Sequence, residues 1–209
     1  DGSGEARLAA GTSGQVLTTG GSGANPTWGT VSSDFVLLHT TASLATAAEI
    51  AIDDVFSATY QNYKIYLENV GFSTDSEVQF RWRTGGASGA DYSTSDYKTN
   101  GYRFEKASGS TGANNNPVNW GATTGVLVEN SEADNANKKT NVEITVFNPY
   151  GNHGTWLKSW CVYWDSSGTV LKCNLVGAGN DAAIIATGIK FMTSAGTFDG
   201  GSVKIYGMK

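Results

Sequence analysis

Acidic side chains at two places in the sequence are spaced closely enough to suggest catalysis or metal binding. Asp53 and Asp54 are adjacent, and glycoside cleavage requires a pair of carboxylates. Adjacent residues of a strand point to opposite faces, so the sequence favours a solvated turn or a helix cap over a catalytic pair. Asn130, Glu132 and Asp134 alternate oxygen-bearing side chains that could bind calcium, but no glycine-turn motif surrounds them. We interpret that stretch as a wet surface loop and predict no metal at either place.

Nucleophiles and soft metal ligands are sparse. The nearest approach to a Gly-x-Ser-x-Gly elbow is the stretch 107–112, which lacks both the spacing and the strand-to-helix context of a nucleophile. Cys161 and Cys173 are the only cysteines, and His39 and His153 the only histidines. Two cysteines form neither a disulfide framework nor the four-ligand grouping of structural zinc. The sequence therefore predicts a protein that is not an enzyme and that has no catalytic residue and no cofactor.

The two cysteines are expected to meet across one hairpin. Residues 166–168 (Ser-Ser-Gly) separate two β-rich runs, and a three-residue loop commonly places its glycine in the left-handed region. Asp165 then faces Thr169, which makes Cys161 face Cys173 in a hydrogen-bonded pair where a disulfide would be strained. The sequence predicts two reduced, packed thiols, because free cysteine is a common core residue.

Binding surfaces are a better prospect than catalysis. Residues 85–120 are rich in Gly, Ser and Asn yet contain several aromatic residues. Aromatic rings supply flat, low-entropy contact area, and asparagines can hydrogen-bond glycan hydroxyls. The alternative is that the aromatic residues only anchor a long connection against a sheet. The candidate receptor-binding residues are Tyr92, Tyr97, Tyr102, Asn114, Asn115, Asn116 and Trp120.

A second aromatic pattern lies further along the chain. Trp156, Trp160 and Trp164 recur every four residues, which places them on one face of a predicted strand with a period of two. Such a stripe buries a large area, so core or subunit interface is favoured over a sugar platform.

Period-two alternation also predicts the elements that carry these residues. Val78, Phe80 and Trp82 alternate with polar residues, which is typical of a half-buried strand, and no segment sustains a helical stripe. Only residues 53–58 are compatible with a single helical turn. The predicted strands cover residues 34–39, 49–52, 63–70, 77–83, 102–106, 126–129, 141–146, 156–165, 170–176, 184–192 and 202–206. The sequence thus predicts an all-β, antiparallel β-sandwich with a jelly-roll-like topology.

Composition and charge exclude several classes of protein. The 209 residues include 27 glycines and 3 prolines, and 16% of them are charged, which fits a turn-rich β protein and excludes a coiled coil. The net charge is −5, with few basic residues, so nucleic acid is not an expected partner. No apolar run suits membrane insertion or a signal peptide. The start at Asp1 leads us to expect a fragment or a processed product.

The chain is predicted to divide near Ser33. Residues 1–32 form an extended Gly/Ser/Thr-rich segment in which Val16, Leu17 and Trp28 are among the few apolar residues. One copy cannot bury enough surface to offset its ordering entropy. The segment is therefore either a flexible linker or a connector that orders where several copies pool these three side chains around a symmetry axis. Residues 33–209 are predicted to be the β-sandwich domain.

Two sets of residues resemble parts of tailed-bacteriophage appendages. Residues 11–28, with the order Gly, Gln-Val-Leu, Gly, Pro and Trp, are similar to a short module that connects a fibre shaft to a C-terminal head. Scattered pieces of residues 33–209 are similar to the heads themselves. These pieces are Phe35–Leu38, Phe56–Tyr63, Phe80–Gly86 and Gly200–Gly207.

This resemblance implies a homotrimeric, non-enzymatic virion protein, assembled in the cytoplasm of the host bacterium. It implies contacts with other virion proteins on the N-terminal side and with a bacterial surface glycan or protein at the head. Three function classes stay open at this point: a fibre head that binds a receptor, a capsid or neck decoration protein that contacts only virion proteins, and a polysaccharide depolymerase. The last would require a carboxylate pair in a groove, which the sequence does not offer.

Overall fold

A computed structural model describes residues 8–31, 33–107, 110–115, 119–131 and 137–209. The chain divides into two compact units, Asp1–Asp34, called here the N-terminal unit, and Phe35–Lys209, called the head unit. The strands are β1 (Gln15–Thr18), β2 (Thr27–Thr30), β3 (Phe35–Thr41), β4 (Glu49–Ile52), β5 (Asn62–Val70), β6 (Ser76–Thr84), β7 (Ala90–Asp91), β8 (Tyr97–Ala107), β9 (Ser110–Asn115), β10 (Asn119–Ala122), β11 (Gly125–Ser131), β12 (Thr140–Phe147), β13 (Trp156–Trp164), β14 (Leu171–Asn180), β15 (Gly188–Thr193) and β16 (Ser202–Met208). In the described ranges no helix is long and apolar enough to cross a bilayer.

The N-terminal unit contains an antiparallel hairpin of β1 and β2, where the sequence predicts no strand. Leu17 pairs with Trp28, so both lie on one face, whereas Val16 pairs with Gly29 and lies on the other. All three apolar side chains are exposed, at 44% for Val16, 55% for Leu17 and 38% for Trp28. The assignment of residues 1–32 as a connector and trimerisation segment stays a prediction.

The head unit is built from two antiparallel sheets, as the alternating sequence predicts. The large sheet has the order β10-β8-β14-β13-β12-β5-β16-β3, with β9 also paired to β8. The small sheet has the order β11-β6-β15-β4, with β7 paired to β6. Successive strands β3, β4, β5 and β6 alternate between the sheets, which is compatible with a jelly-roll topology. The all-β sandwich class is confirmed, and the jelly-roll assignment stays a prediction.

The core lies between the inward faces of the two sheets. Tyr63 on the large sheet and Trp82 on the small sheet are fully buried, and the ring of Phe56 contacts both, at centroid distances of 4.6 and 6.4 Å. Phe80 contacts Trp82 at 5.0 Å and reaches Tyr97 on the large sheet at 5.8 Å. Burial of each such ring contributes about 1.5–3 kcal/mol, and these rings join the two sheets.

Most predicted strands overlap observed ones, but β8 begins at Tyr97 rather than at residue 102 and β14 ends at Asn180 rather than at residue 176. β15 begins at Gly188 rather than at residue 184, and the short strands β7, β9 and β10 were not predicted. Residues 53–58 form no helical turn; the single short helix described is a 3-10 turn at Gly86–Ser88. Asp53 accordingly caps no helix.

The predicted register of the β13–β14 hairpin is wrong by one residue. Cys173 pairs with Val162 and Cys161 with Asn174. Gly168 has the expected left-handed φ of 65°, but the Asp165 carboxylate accepts hydrogen bonds from the backbone N–H groups of Thr169 and Val170, at 3.0 and 3.1 Å. Thr169 therefore belongs to a four-residue loop.

A one-residue slip moves a side chain to the other face of the sheet. Cys161 is consequently buried in the core, while Cys173 is partly exposed on the outward face, and both thiols are free. The prediction that they face each other is wrong.

Candidate functional site

One of the predicted receptor-binding tyrosines is a core residue. Tyr97 is fully buried; its hydroxyl accepts a hydrogen bond from the Trp82 N–H at 2.8 Å and donates one to the Tyr92 carbonyl at 2.8 Å. Burial raises the pKa of Tyr97. Because this side chain joins the two sheets, its assignment to a receptor surface is wrong. Tyr92 is half-buried against the core and donates its hydroxyl to Asp96 at 2.5 Å, which favours the anchoring alternative for this residue.

Two other predicted residues lie on the outward face of the large sheet. Tyr102 on β8 is 56% exposed, and Trp120 on β10 is 79% exposed. In the register of β8 and β9, Asn115 pairs with Tyr102 and Asn114 with Arg103. Asn116 lies outside the described residues. The structure thus brings Tyr102 and Trp120 to one sheet face and separates them from Tyr97.

The tryptophan stripe of β13 lies on the same outward face, so its assignment to the core is wrong. Trp156 and Trp160 are 42% and 45% exposed, whereas the alternating residues Leu157, Cys161 and Tyr163 are buried. Both faces of β13 are therefore apolar, and the larger side chains are the outward ones. The interface and sugar-platform alternatives for the stripe stay open.

An apolar patch lies on three neighbouring strands of the outward face. Trp160 on β13 pairs with Leu175 on β14, which pairs with Tyr102 on β8. In the next row, Val162 on β13 pairs with Cys173 on β14, which pairs with Phe104 on β8. The Phe104 and Trp160 rings are 6.5 Å apart between centroids. The apolar patch consists of Tyr102, Phe104, Trp160, Val162, Leu171 and Leu175, which are 38–56% exposed. Contiguous exposed apolar side chains of this kind are often functional on monomers.

Glycine replaces these bulky residues on the other half of β14. Gly177 and Gly179 follow Leu175 at period two on the outward side. Gly177 lies between Lys158 on β13 and Asn100 on β8, and Gly179 lies between Trp156 and Lys98. A Cβ added at Gly177 would meet only one atom within 4 Å, the Asn100 carbonyl oxygen at 3.9 Å. The result is a depression, called here the glycine trough, bounded by Trp156, Lys158, Lys98 and Asn100.

The indole of Trp156 lies across the backbone of Gly179. A Cβ at Gly179 would be 2.9 Å from Cε3 of that ring, and a Cβ at Gly154 would be 3.2 Å from its Nε1. The indole is therefore held against two glycines and keeps 42% of its surface exposed. Only residues without a side chain permit this close approach.

The opposite wall of the trough holds an ion pair beside an aromatic ring. Lys98 Nζ is 2.6 Å from the Asp181 carboxylate and 4.7 Å from the centroid of Trp120. The hydrogen bond from Lys98 lowers the pKa of Asp181. Asp181 is ionised at neutral pH, and its side chain is 54% exposed, so its carboxylate oxygens can accept further hydrogen bonds.

Two grooves flank Trp160 on the same outward face. One is lined by Tyr66, Asn141 and Glu143 and has a volume of about 290 Å³. The other, of about 280 Å³, is lined by Lys64, Glu143 and Lys158. Lys64 and Glu143 form an ion pair between them. Trp160 therefore lies between polar side chains of β5 and β12 on one side and the apolar patch on the other.

The outward side of the small sheet is different, because ion pairs cover it. Arg83 donates to Asp53 at 2.7 and 3.0 Å and to Asp91 at 2.5 Å, and Lys190 also contacts Asp91. Burial opposes ionisation of Asp91, but hydrogen bonds from Lys190 and Arg83 outweigh it and hold the pKa of Asp91 below its usual value. Asp53 is therefore engaged by an arginine rather than lying in the predicted solvated turn.

The remaining motifs of the sequence analysis add no site. Ser108, Glu132 and Asp134 lie outside the described residues. Within the part of the chain that is described, no group of three or more His, Cys, Asp or Glu side chains is placed to hold a metal ion.

No family model, no curated protein and no solved structure matches the chain.

Four residues of the trough and its wall were not predicted from the sequence: Lys98, Gly177, Gly179 and Asp181. One signal was present: two glycines at period two directly follow the predicted strand 170–176, and glycines spaced in this way would leave one face of an extended strand without side chains. That signal acquires meaning only once the neighbouring strands are known.

Proposed function

We propose that the chain is the head region of a tailed-phage fibre or related virion appendage, and that the outward face of the large sheet binds a bacterial surface receptor. The observation that carries this proposal is a row of exposed aromatic side chains across that face. Phe147, Trp156 and Trp120 stand in one continuous register row, with Gly179 and Lys98 between the two tryptophans. The resemblance of the sequence to fibre heads supports the same function.

The row suits adhesion for physical reasons. Phe147 and Trp156 are 41% and 42% exposed, and Trp120 is 79% exposed, so each offers a rigid ring to a ligand. Rings on a hydrogen-bonded sheet lose little further conformational freedom on binding. A single head would bind weakly, because it must displace water from a polar ligand. Several heads on one particle compensate, because each further contact becomes intramolecular.

Cell binding tests this function. The full chain, labelled with a fluorophore, is incubated with a panel of Gram-negative and Gram-positive strains and measured by flow cytometry. We expect saturable binding to a subset of strains, competed by unlabelled protein and reduced in a Trp120→Ala variant. Leu37→Ala is the matched control, because Leu37 is an exposed residue (54%) on β3, at the far edge of the same sheet. Absence of saturable binding across the panel would contradict the receptor function.

The apolar patch favours a second candidate, a decoration or assembly protein. Its side chains lie together on three neighbouring strands, and the fully buried centres of protein interfaces are similarly rich in aromatic and aliphatic residues. In this case the patch contacts another virion protein or another copy of the chain. Replacing Leu175 with Lys should then abolish assembly into particles while leaving the isolated chain folded.

We also propose the homotrimer that the resemblance implies, ordered through residues 1–32. Leu17 and Trp28 share a hairpin face, and two-stranded hairpins are marginal alone, so symmetry mates would stabilise this one. Truncation before Ser33 should weaken the trimer and leave the sandwich folded. A monomeric mass of the intact chain in light scattering at micromolar concentration would contradict the trimer.

A further inference from the structure

We infer that the glycine trough is a saccharide site, with Trp156 as its stacking platform and the Lys98–Asp181 pair as its hydrogen-bonding group, and that its ligand is a neutral pyranose. This inference rests on the proposed receptor function and specifies where the ligand binds and what chemical class it belongs to.

Trp156 provides a rigid platform for the ligand. The Trp156 ring is held by Gly154 and Gly179, so it presents its indole in a fixed orientation. A pyranose has an apolar face of C–H groups that packs on such a ring, as amphipathic aromatic side chains favour. Loss of either glycine would displace the ring.

The trough also has space for a ligand. The Trp156 indole covers Gly179, whereas Gly177 is exposed and a Cβ there would meet only the Asn100 carbonyl oxygen at 3.9 Å, so the open part of the trough lies above Gly177. Trp156 and Trp120 lie three strand positions apart in the same row, which corresponds to about 14 Å at the usual interstrand spacing. This distance accommodates a short oligosaccharide that lies across the strands.

Polar side chains beside the trough can form hydrogen bonds with a ligand. The Asp181 carboxylate can accept from two adjacent hydroxyls, while the Lys98 ammonium, 2.6 Å away, donates. The exposed amide of Asn100 lies on the same wall and both donates and accepts. A site with these groups recognises a polyol better than an apolar ligand.

Charge selects a neutral sugar. Lys98 is neutralised by Asp181, and Lys158 leans towards Phe147 on β12, with Nζ 6.0 Å from the centroid of that ring. The Lys158 ammonium therefore lies on the β12 side of its strand, away from Gly177 on β14. The chain also carries a net charge of −5, which disfavours an anionic glycan.

The test uses the full chain and four defined probes: methyl α-glucopyranoside, α-mannopyranoside, α-galactopyranoside and α-glucuronide. Binding is measured by saturation-transfer NMR and by shifts of the tryptophan indole resonances. We expect at least one neutral pyranoside to bind with a dissociation constant in the millimolar range and the glucuronide to bind more weakly than the glucoside.

Two variants locate the binding. Gly177→Leu fills the trough without a backbone clash, and Trp156→Ala removes the platform. Each should raise the dissociation constant about tenfold or more. Leu171→Ala is the matched control, since Leu171 lies on the same strand and the same face, at its other end, and it should bind like the wild type. Circular dichroism confirms that each variant is folded, and Trp156→Phe, which keeps a smaller ring, should bind with intermediate affinity.

The outcomes separate this inference from the proposed function. Binding of no neutral pyranoside, unchanged binding by folded Gly177→Leu, or a preference for the glucuronide would each overturn the saccharide site. If these results occur while the wild-type chain still adsorbs saturably to bacteria, the receptor function stands and its site lies elsewhere. If a pyranoside binds in the trough but no strain is bound, the site stands and the receptor function fails.

Discussion

The outward side of β14 has two halves that differ in kind. From Leu171 to Leu175 it carries bulky apolar side chains and belongs to the apolar patch, and from Gly177 onward it carries none. The neighbours differ accordingly: the patch borders Tyr102 and Phe104, whereas the trough borders Lys98, Asn100 and an exposed indole. An apolar ridge suits contact with another protein, and a trough with polar walls suits a small polar ligand.

Along one strand, the change from large side chains to glycine thus produces two different surfaces on one rigid sheet. Because both halves belong to the same hydrogen-bonded sheet, their relative position is fixed by register rather than by a flexible loop. Assembly through the patch and ligand binding in the trough are therefore compatible on one chain.

The largest expected effect on stability is the difference between alanine substitutions at the two glycines of the trough. A Cβ at Gly179 would be 2.1 Å from the Thr155 carbonyl oxygen, whereas a Cβ at Gly177 meets nothing closer than 3.9 Å. Gly179→Ala should therefore cost about 3 kcal/mol or more of unfolding free energy, because backbone has to move. Gly177→Ala should change it by about 0.5 kcal/mol or less. Urea denaturation of both variants measures the difference, and equal losses would show that the trough is not open at Gly177.

The ion pairs on the outward side of the small sheet should have a smaller effect on stability, which depends on pH. The folded-state pKa of Asp91 is depressed, with burial opposed and outweighed by hydrogen bonds from Lys190 and Arg83. A depressed carboxyl pKa stabilises the fold above the unfolded pKa, and this contribution is lost as pH falls through the folded value. Stability should therefore decline below about pH 4.

The Asp91→Asn variant tests the assignment of that decline. It should lose about 1–3 kcal/mol at pH 7, because Arg83 and Lys190 lose a partner. It should also lose less stability on acidification than the wild type. An acid profile of Tm that is identical in the two proteins would assign the decline to other carboxylates, such as Asp165, whose pKa is also lowered.

Alternation along the chain was sufficient to predict the sandwich and most of its strands, because a half-buried strand has a period of two. It could not assign the faces of β13, since Leu157 and Cys161 on one side and Trp156 and Trp160 on the other are all apolar. Nor could it predict the hairpin register, which the hydrogen bonds of the Asp165 side chain shift by one residue. The trough could not be predicted from Gly177 and Gly179 alone, because only the register of β8, β13 and β14 shows which side chains border them.

The cysteines offer a smaller contrast between the inward and outward faces of the same sheet. Burial raises the pKa of the Cys161 thiol to about 12, and its side chain has no exposed surface. Cys173, on the outward face, should react with iodoacetamide in the native protein, whereas Cys161 should react only after unfolding. Cys161→Ala should cost about 1–2 kcal/mol and Cys173→Ala less than about 0.5 kcal/mol. Peptide mass spectrometry of the alkylated protein checks the order of reaction; similar reactivity of the two thiols would instead support the predicted register, which places both on one face of the sheet.

The smallest effect on stability should come from the apolar patch itself. Leu175 is 45% exposed, so Leu175→Thr removes little buried surface and should change the unfolding free energy of the isolated chain by about 0.5 kcal/mol or less. If the patch is an assembly interface, the same substitution should raise the dissociation constant of self-association or of virion assembly by about tenfold or more, because interfaces depend on a few central apolar residues. Sedimentation equilibrium of the wild type and the variant, beside Gly177→Ala as a control in the trough, measures this. A change in stability without a change in association would assign Leu175 to folding and remove the functional distinction between the two halves of β14.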